Sequence, residues 1–152
     1  MTAKKTRAQV EPDIPSLCNC TKIRRAARTL TRFYDECIAD SGVKITQYSI
    51  LGYLKHRGPK TMLELAELMA MDRATVGHNL RPLERDGLVT IEVSEKDKRA
   101  RIVSVTDKGL GCVAAGRPGW DRAQAAFDRA YGADNAKTFR ENMDTVVDSE
   151  LA

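Results

Sequence analysis

The chain is 152 residues long and carries 25 Lys and Arg against 21 Asp and Glu, a formal charge of +4. One domain with a real core, or a domain plus appended helices, fits that length, and the mild basic excess permits a polyanionic partner without demanding one. No stretch approaches a membrane helix in length and no signal peptide opens the sequence, so a soluble cytoplasmic protein without a membrane partner is expected.

The distribution of charge says more than its sum. Lys4, Lys5, Arg7, Lys22, Arg24, Arg25, Arg28 and Arg32 face only Glu11 and Asp13 in the first 32 residues, whereas the last 20 are acidic on balance. Residues 1–14 are polar and read as a flexible basic arm. Cys18, Cys20, Cys37 and Cys112 are expected to be reduced in a cytosolic chain. Cys18 and Cys20 form a Cys-x-Cys pair, but His56 and His78 lie far off and no second ligand pair stands at close spacing. Neither a metal site nor another cofactor is expected. No Ser/His/Asp or Cys/His arrangement and no phosphate-cradling glycine loop is present, which argues against an enzyme.

Residues 15–45 read as an N-terminal dimerisation helix. Ile23, Ala27, Leu30, Tyr34, Cys37 and Ile38 recur at helical spacing from Ser16 to about Asp40, and the helix stops near Gly42. Residues 46–108 read as a DNA-binding lobe. Thr46 caps a helix carrying Tyr48, Ile50, Leu51 and Leu54, closed by Arg57-Gly-Pro59. Thr61-Met-Leu-Glu64 is a capping box, Met69-Ala-Met71 a turn, and Asp72 the cap of the next helix. There Val76, Leu80 and Leu83 face the core, leaving Arg73, Gly77, His78 and Arg81 outward. Gly77 keeps that face low enough for a partner's close approach. Thr75 either reaches a phosphate or closes the cap with Asp72. Pro82 bends the last turn and Gly87 ends it.

A two-strand hairpin follows, Leu88-Val-Thr-Ile-Glu-Val93 and Arg101-Ile-Val-Ser-Val105, joined by Ser94-Glu-Lys-Asp-Lys-Arg-Ala100. Asp97 is placed to hold the Arg99 side chain by a charge-assisted bond, and Arg99 is expected in an A·T-rich minor groove. Lys98 and Arg101 are phosphate contacts or strand-edge charges. Residues 109–152 read as C-terminal dimerisation helices. The first is broken or bent around Gly116-Arg-Pro-Gly119 and resumes with Trp120, Ala123 and Phe127; the second runs from Ala133 to about Leu151.

The fold expected is therefore mainly α with a small β-hairpin wing: a winged helix-turn-helix flanked by N- and C-terminal dimerisation helices. Its DNA-facing residues are Thr61, Arg73, Thr75, Gly77, His78 and Arg81 from the helix pair, and Asp97, Lys98, Arg99 and Arg101 from the wing. Two copies clasped by their terminal helices bury the leftover apolar stripes and set two reading helices on a pseudo-palindromic duplex. An architectural or protein-interaction winged helix without an effector is the competing class.

Leu63-Glu-Leu-Ala66, Asp72-Arg-Ala-Thr75, Leu80-Arg-Pro-Leu-Glu-Arg-Asp-Gly-Leu-Val89, Asp97-Lys-Arg99 and Val105-Thr-Asp-Lys-Gly109 form a specific set. In them the chain resembles the MarR group of bacterial transcription regulators, from about Leu17 to its C-terminus. The resemblance implies a triangular homodimer and repression relieved by a small molecule or an oxidant. It implies an aromatic or lipophilic effector lodged near Tyr34, Ile38, Tyr48, Leu51, Gly52 and Cys112. Counting back from Thr46-Gln-Tyr48, Cys20 falls where the organic-hydroperoxide-sensing branch has its reactive cysteine and Tyr34 on one of its tyrosines, while Ile45 replaces the other. Cys20, in the first turn of a helix near Lys22 and Arg24, is thus the redox candidate, with Cys18 able to cap an oxidised form.

Overall fold

The computed structural model describes residues 14–151, so the basic arm expected at residues 1–14 lies outside it but for its last residue. A short helix α1 (Ile14–Leu17) leads into α2 (Asn19–Cys37); a 3-10 turn (Ala39–Ser41) and α3 (Ile45–Arg57) follow. Then come β1 (Lys60–Thr61), α4 (Met62–Leu68), α5 (Arg73–Arg85), β2 (Val89–Val93), β3 (Arg101–Val105), α6 (Asp107–Tyr131) and α7 (Ala133–Asp148). The result is a winged helix-turn-helix between terminal helices.

The N-terminal helix is not one piece. Cys18 is extended (φ −70°, ψ 116°) and its Sγ accepts the Thr21 N–H at 3.5 Å, so a cap interrupts the run expected from Ser16. The helix after Gly42 also starts differently from the sequence reading. Thr46 lies inside it, and its first free amide, Ile45 N–H, is taken by Asp35 Oδ1 of α2 at 2.6 Å. Gln47 Oε1 accepts the Lys44 N–H at 3.2 Å; lysine has no acceptor, so only that half of a capping box forms. A tertiary cap joins α2 to α3 where a local one was expected.

The core is formed by Ile38, Ile50, Leu51 and Leu54, by Leu65, Val76, Leu80 and Leu83 of the helix pair, and by Leu88, Val89 and Val103 of the sheet. Each such burial contributes about 1.5–3 kcal/mol. The wing has three strands, not two: the sheet is antiparallel in the order β1-β3-β2, with Lys60 opposite Val103, Thr61 opposite Ile102 and Val89 opposite Val105. Two residues of extended chain after Pro59 carry too little pattern to be read as a strand.

Helix α6 is continuous through Gly116-Arg-Pro-Gly119, against the expected break. The glycines serve close packing. A Cβ on Gly119 would stand 1.9 Å from the Cys37 carbonyl oxygen, and one on Gly116 would stand 2.5 Å from the Tyr48 ring. Pro118 removes one helical hydrogen bond. The final helix stops at Asp148, short of Leu151.

Candidate functional site

Helices α4 and α5 are fixed at both ends by short-range chemistry. Thr61 Oγ1 accepts the Glu64 N–H at 3.1 Å while Glu64 Oε2 accepts the Thr61 N–H at 2.7 Å, a complete capping box. The bond to the Thr61 amide lowers the Glu64 pKa. Helix α4 ends with Met71 N–H on Ala66 O (2.8 Å), Ala70 N–H on Glu67 O (3.1 Å) and Ala70 left-handed at φ +49°, the pattern that usually takes glycine. Asp72 Oδ1 accepts the Thr75 N–H at 2.7 Å and its Oδ2 accepts the Thr75 hydroxyl at 2.9 Å. Thr75 thus closes the cap, and these bonds lower the Asp72 pKa.

Val76, Leu80 and Leu83 are fully buried, so α5 can present only its other side. Arg73, His78 and Arg81 are exposed there, and among the described residues none of the three makes an ion pair. Gly77 is half-buried: a Cβ there would meet Met62 Cε at an ordinary 3.7 Å. Its outward placement is therefore corrected to the edge against α4, because the turn between the helices brings Met62 beside it.

The wing follows at a fixed offset. Gly87 (φ +72°) turns the chain out of α5, with Leu88 N–H on Leu83 O at 2.8 Å. Thr106 donates its hydroxyl to Gly87 O at 2.7 Å, and Lys108 Nζ reaches Asp86 O at 2.7 Å. At the tip, Asp97 Oδ1 accepts the Arg99 backbone N–H at 3.0 Å, whereas Arg99 Nε stands 4.0 Å away. Asp97 therefore shapes the turn and holds the guanidinium only through this long ion pair, with the Arg99 side chain 97% exposed. Lys98 and Arg101 are exposed on the same strand-turn segment.

A cavity of about 410 Å³ opens between α3 and α6, walled by Tyr48, Gly52, Tyr53, Arg57, Arg117 and Trp120 among others. The Arg57 guanidinium lies 5.2 Å from the Tyr53 ring centre and that of Arg117 5.4 Å from Trp120, within cation–π range. Lys55 adds a third cation to the rim, and His56 lines it too. The Tyr48 hydroxyl donates to Val113 O at 3.0 Å, and burial raises its pKa. Of the six residues singled out for an effector, Tyr48 and Gly52 reach this cavity. Ile38 and Leu51 are fully buried in the core, Cys112 packs against that core, and the Tyr34 hydroxyl donates to Gln124 Oε1. The rings and cations of the far wall escaped sequence reading, although Tyr53/Arg57 at i, i+4 and Arg117/Trp120 at i, i+3 carried the signal.

Cys18 Sγ accepts the Thr21 N–H, and hydrogen bonding to Thr21, through its side chain first and its backbone N–H second, lowers the thiol's pKa. Cys20 is exposed one residue into α2. The capped thiol is Cys18, where the sequence had favoured Cys20.

A MarR family model matches residues 41–100. The M. tuberculosis transcriptional regulator MosR, in a crystal structure with DNA, is 32% identical and superposes with a TM-score of 0.78, covering 86% of this chain and 93% of that one. The chain belongs to the MarR family. The organic hydroperoxide resistance transcriptional regulator of Bacillus subtilis is 27% identical over 90 residues, 59% of this chain and 61% of that regulator's length. BpsR of Bordetella bronchiseptica, at 19% identity with 91% and 99% of the two chains covered, shares the family fold with a TM-score of 0.80. Relatives of the family are thus bacterial transcription regulators, and no helix among the described residues of this member is long and apolar enough to cross a membrane.

Proposed function

We propose that this chain is a sequence-specific double-stranded DNA-binding transcriptional regulator, a cytoplasmic homodimeric repressor released by a small aromatic or lipophilic ligand. On this reading residues 46–108 are the DNA-binding lobe, with residues 15–45 and 109–152 serving dimerisation. The observation that carries it is the unpaired basic face of α5 beside an extended wing arginine, in a chain similar to a regulator crystallised with DNA. Arg73, His78 and Arg81 enter a major groove, Thr61 and Thr75 lie toward its phosphates, and Arg99 occupies the adjacent minor groove with Lys98 and Arg101 on the backbone. A ligand in the cavity between α3 and α6 stacks on Tyr53 or Trp120, and the cationic rim favours one bearing an acidic group.

Mobility shifts on duplexes selected from random sequence test this directly. Arg81→Ala is expected to weaken the selected site by about 1–3 kcal/mol and to relax base preference, while Arg99→Ala weakens sites with A·T-rich flanks most. Retention indifferent to sequence, or lost steeply with salt for every duplex, would leave only an architectural role.

The capped Cys18 supports a second reading, a thiol switch. The Cys18 thiolate attacks a hydroperoxide: the S–O bond forms, the O–O bond breaks and the alcohol departs with a proton. Cys20 then attacks the sulfenic sulfur, expelling water and leaving a Cys18–Cys20 disulfide once the first turn of α2 has opened. Hydroperoxide-driven release of DNA is its signature.

A further inference from the structure

Helix α2 carries a row of cations on the side that it does not pack. Its other side faces α6: Leu30 shares a groove with Phe127, the Tyr34 hydroxyl donates to Gln124 Oε1, and the Cys37 carbonyl oxygen lies against Gly119. At about 100° per residue, Arg24, Arg25, Arg28 and Arg32 lie about 120–160° around the helix from Leu30. All four are exposed, and among the described residues none of them forms an ion pair. Arg25, Arg28, Arg32 and Thr29 line one recess of about 350 Å³. Asp35 and Glu36 end the row, and Asp35 is engaged by the Ile45 N–H and by Lys44.

Like charges three and four residues apart on a helix repel, so the row is relieved by an anion long enough to meet several of them. Arg24 and Arg32 stand about 12 Å apart along the helix axis. A duplex presents one phosphate charge per about 1.7 Å of its own axis, so a single backbone serves the whole row, and each planar guanidinium matches phosphate oxygens two at a time. Thr29 and Thr31 flank the row with exposed side chains, whereas Ile23 and Leu30 fall on the opposite side of the helix. A protein partner draws most of its binding energy from a buried apolar or aromatic centre, and a membrane-surface helix needs a free apolar face to enter the lipid. The row offers neither. Backbone phosphates are held by charge and hydroxyls alone.

We propose that the arginine face of α2 is a second DNA site, which grips the phosphate backbone of a duplex other than the one held by the reading helices and takes it without regard to sequence. Helix α5 packs on α3, α4 and β2, whereas α2 packs on α6 and is tied by Asp35 to the first residue of α3. The two basic faces thus belong to different elements. Resting on the dimeric DNA-binding reading above, an operator-bound regulator carries two such rows and bridges separate stretches of DNA.

A sandwich capture with the full chain tests this. The protein is loaded onto a bead-bound duplex selected from random sequence, washed, and offered a labelled duplex of unrelated sequence at about 0.05 M NaCl. The wild type should retain the labelled duplex and release it about tenfold or more when NaCl is raised to about 0.2 M, as counterion release requires. The triple variant Arg24→Gln/Arg28→Gln/Arg32→Gln should retain about tenfold less, while its affinity for the selected duplex stays within about threefold of the wild type. The three side chains are exposed, and circular dichroism of the variant should match the wild type; the single reversal Arg28→Glu should lose retention in the same direction. No retention by the wild type, or equal retention by the triple variant, overturns the second site and leaves the regulator standing. Retention of poly-glutamate in place of the labelled duplex also overturns it and assigns the row to an acidic polypeptide. Should no duplex be selected at all, the regulator reading falls, and the row is judged on the unrelated duplex alone: binding about tenfold weaker in the triple variant upholds it, equal binding overturns it.

Discussion

At the scale of single residues, the atoms chosen as partners decide chemistry that residue identity alone leaves open. Asp97 and Arg99 are legible as a pair, but the carboxylate's hydrogen bond goes to the Arg99 backbone N–H and the guanidinium keeps only a long, exposed ion pair. The Cys-x-Cys pair is equally legible, and the sequence favours Cys20 because it sits in a helical turn. A cap depends on which residue is extended just before the helix, and that residue is Cys18. Hydrogen bonding to Thr21, through its side chain first and its backbone N–H second, lowers the Cys18 pKa. Stabilising the charged form moves ionisation to lower pH, so the nucleophile is present below the usual thiol value of about 8.5. Iodoacetamide should therefore alkylate Cys18 with a pH midpoint below that of a free cysteine peptide. Cumene hydroperoxide should strip DNA from the wild type and not from Cys18→Ser. Equal release from both proteins removes the switch, as does a Cys18 midpoint at the peptide value.

At the scale of elements, the helix pair and wing were legible because their signals are local: capping residues, an apolar stripe and alternating strands. The terminal helices were less so. Gly116-Arg-Pro-Gly119 has the composition of a break, and what keeps α6 continuous is the neighbour it crosses. Glycine at 119 lets α6 lie directly on the Cys37 carbonyl, and no rotamer change relieves a clash with backbone. Gly119→Ala should cost about 1–3 kcal/mol or more in urea unfolding. Gly111 lies in the same helix with nothing within 4 Å of where a Cβ would be, so Gly111→Ala should gain about 0.5–1 kcal/mol from helix propensity. Equal effects at the two positions would mean that the crossing does not depend on glycine.

At the scale of the whole molecule, α6 is the lever that connects everything else. Its start is held to the end of α5 through Thr106 and packs Gly109 on the Leu88 carbonyl oxygen. Its middle walls the cavity with Val113, Arg117 and Trp120. Its end carries Phe127 and Tyr131 into the aromatic cluster with Phe139 of α7. The pairs Tyr53/Arg57 and Arg117/Trp120 were each legible as local spacings, but the cavity they wall exists only where α3 and α6 cross. A ligand shifts such a lever only if it binds one arrangement better than the other, and Tyr48, bonded from α3 to the Val113 carbonyl of α6, is the contact that such a ligand would disturb. Trp120 is the sole tryptophan, so 2-naphthoate entering the cavity is expected to quench its fluorescence. The same compound should weaken DNA binding about 5–150-fold, the usual span of a coupling free energy. Tyr48→Phe deletes only the hydroxyl, so the quench should persist at a similar midpoint while the loss of DNA affinity shrinks toward unity. If the variant releases DNA as the wild type does, Tyr48 carries no coupling; if naphthoate quenches Trp120 in both proteins yet leaves DNA affinity untouched, the cavity does not control the reading helices.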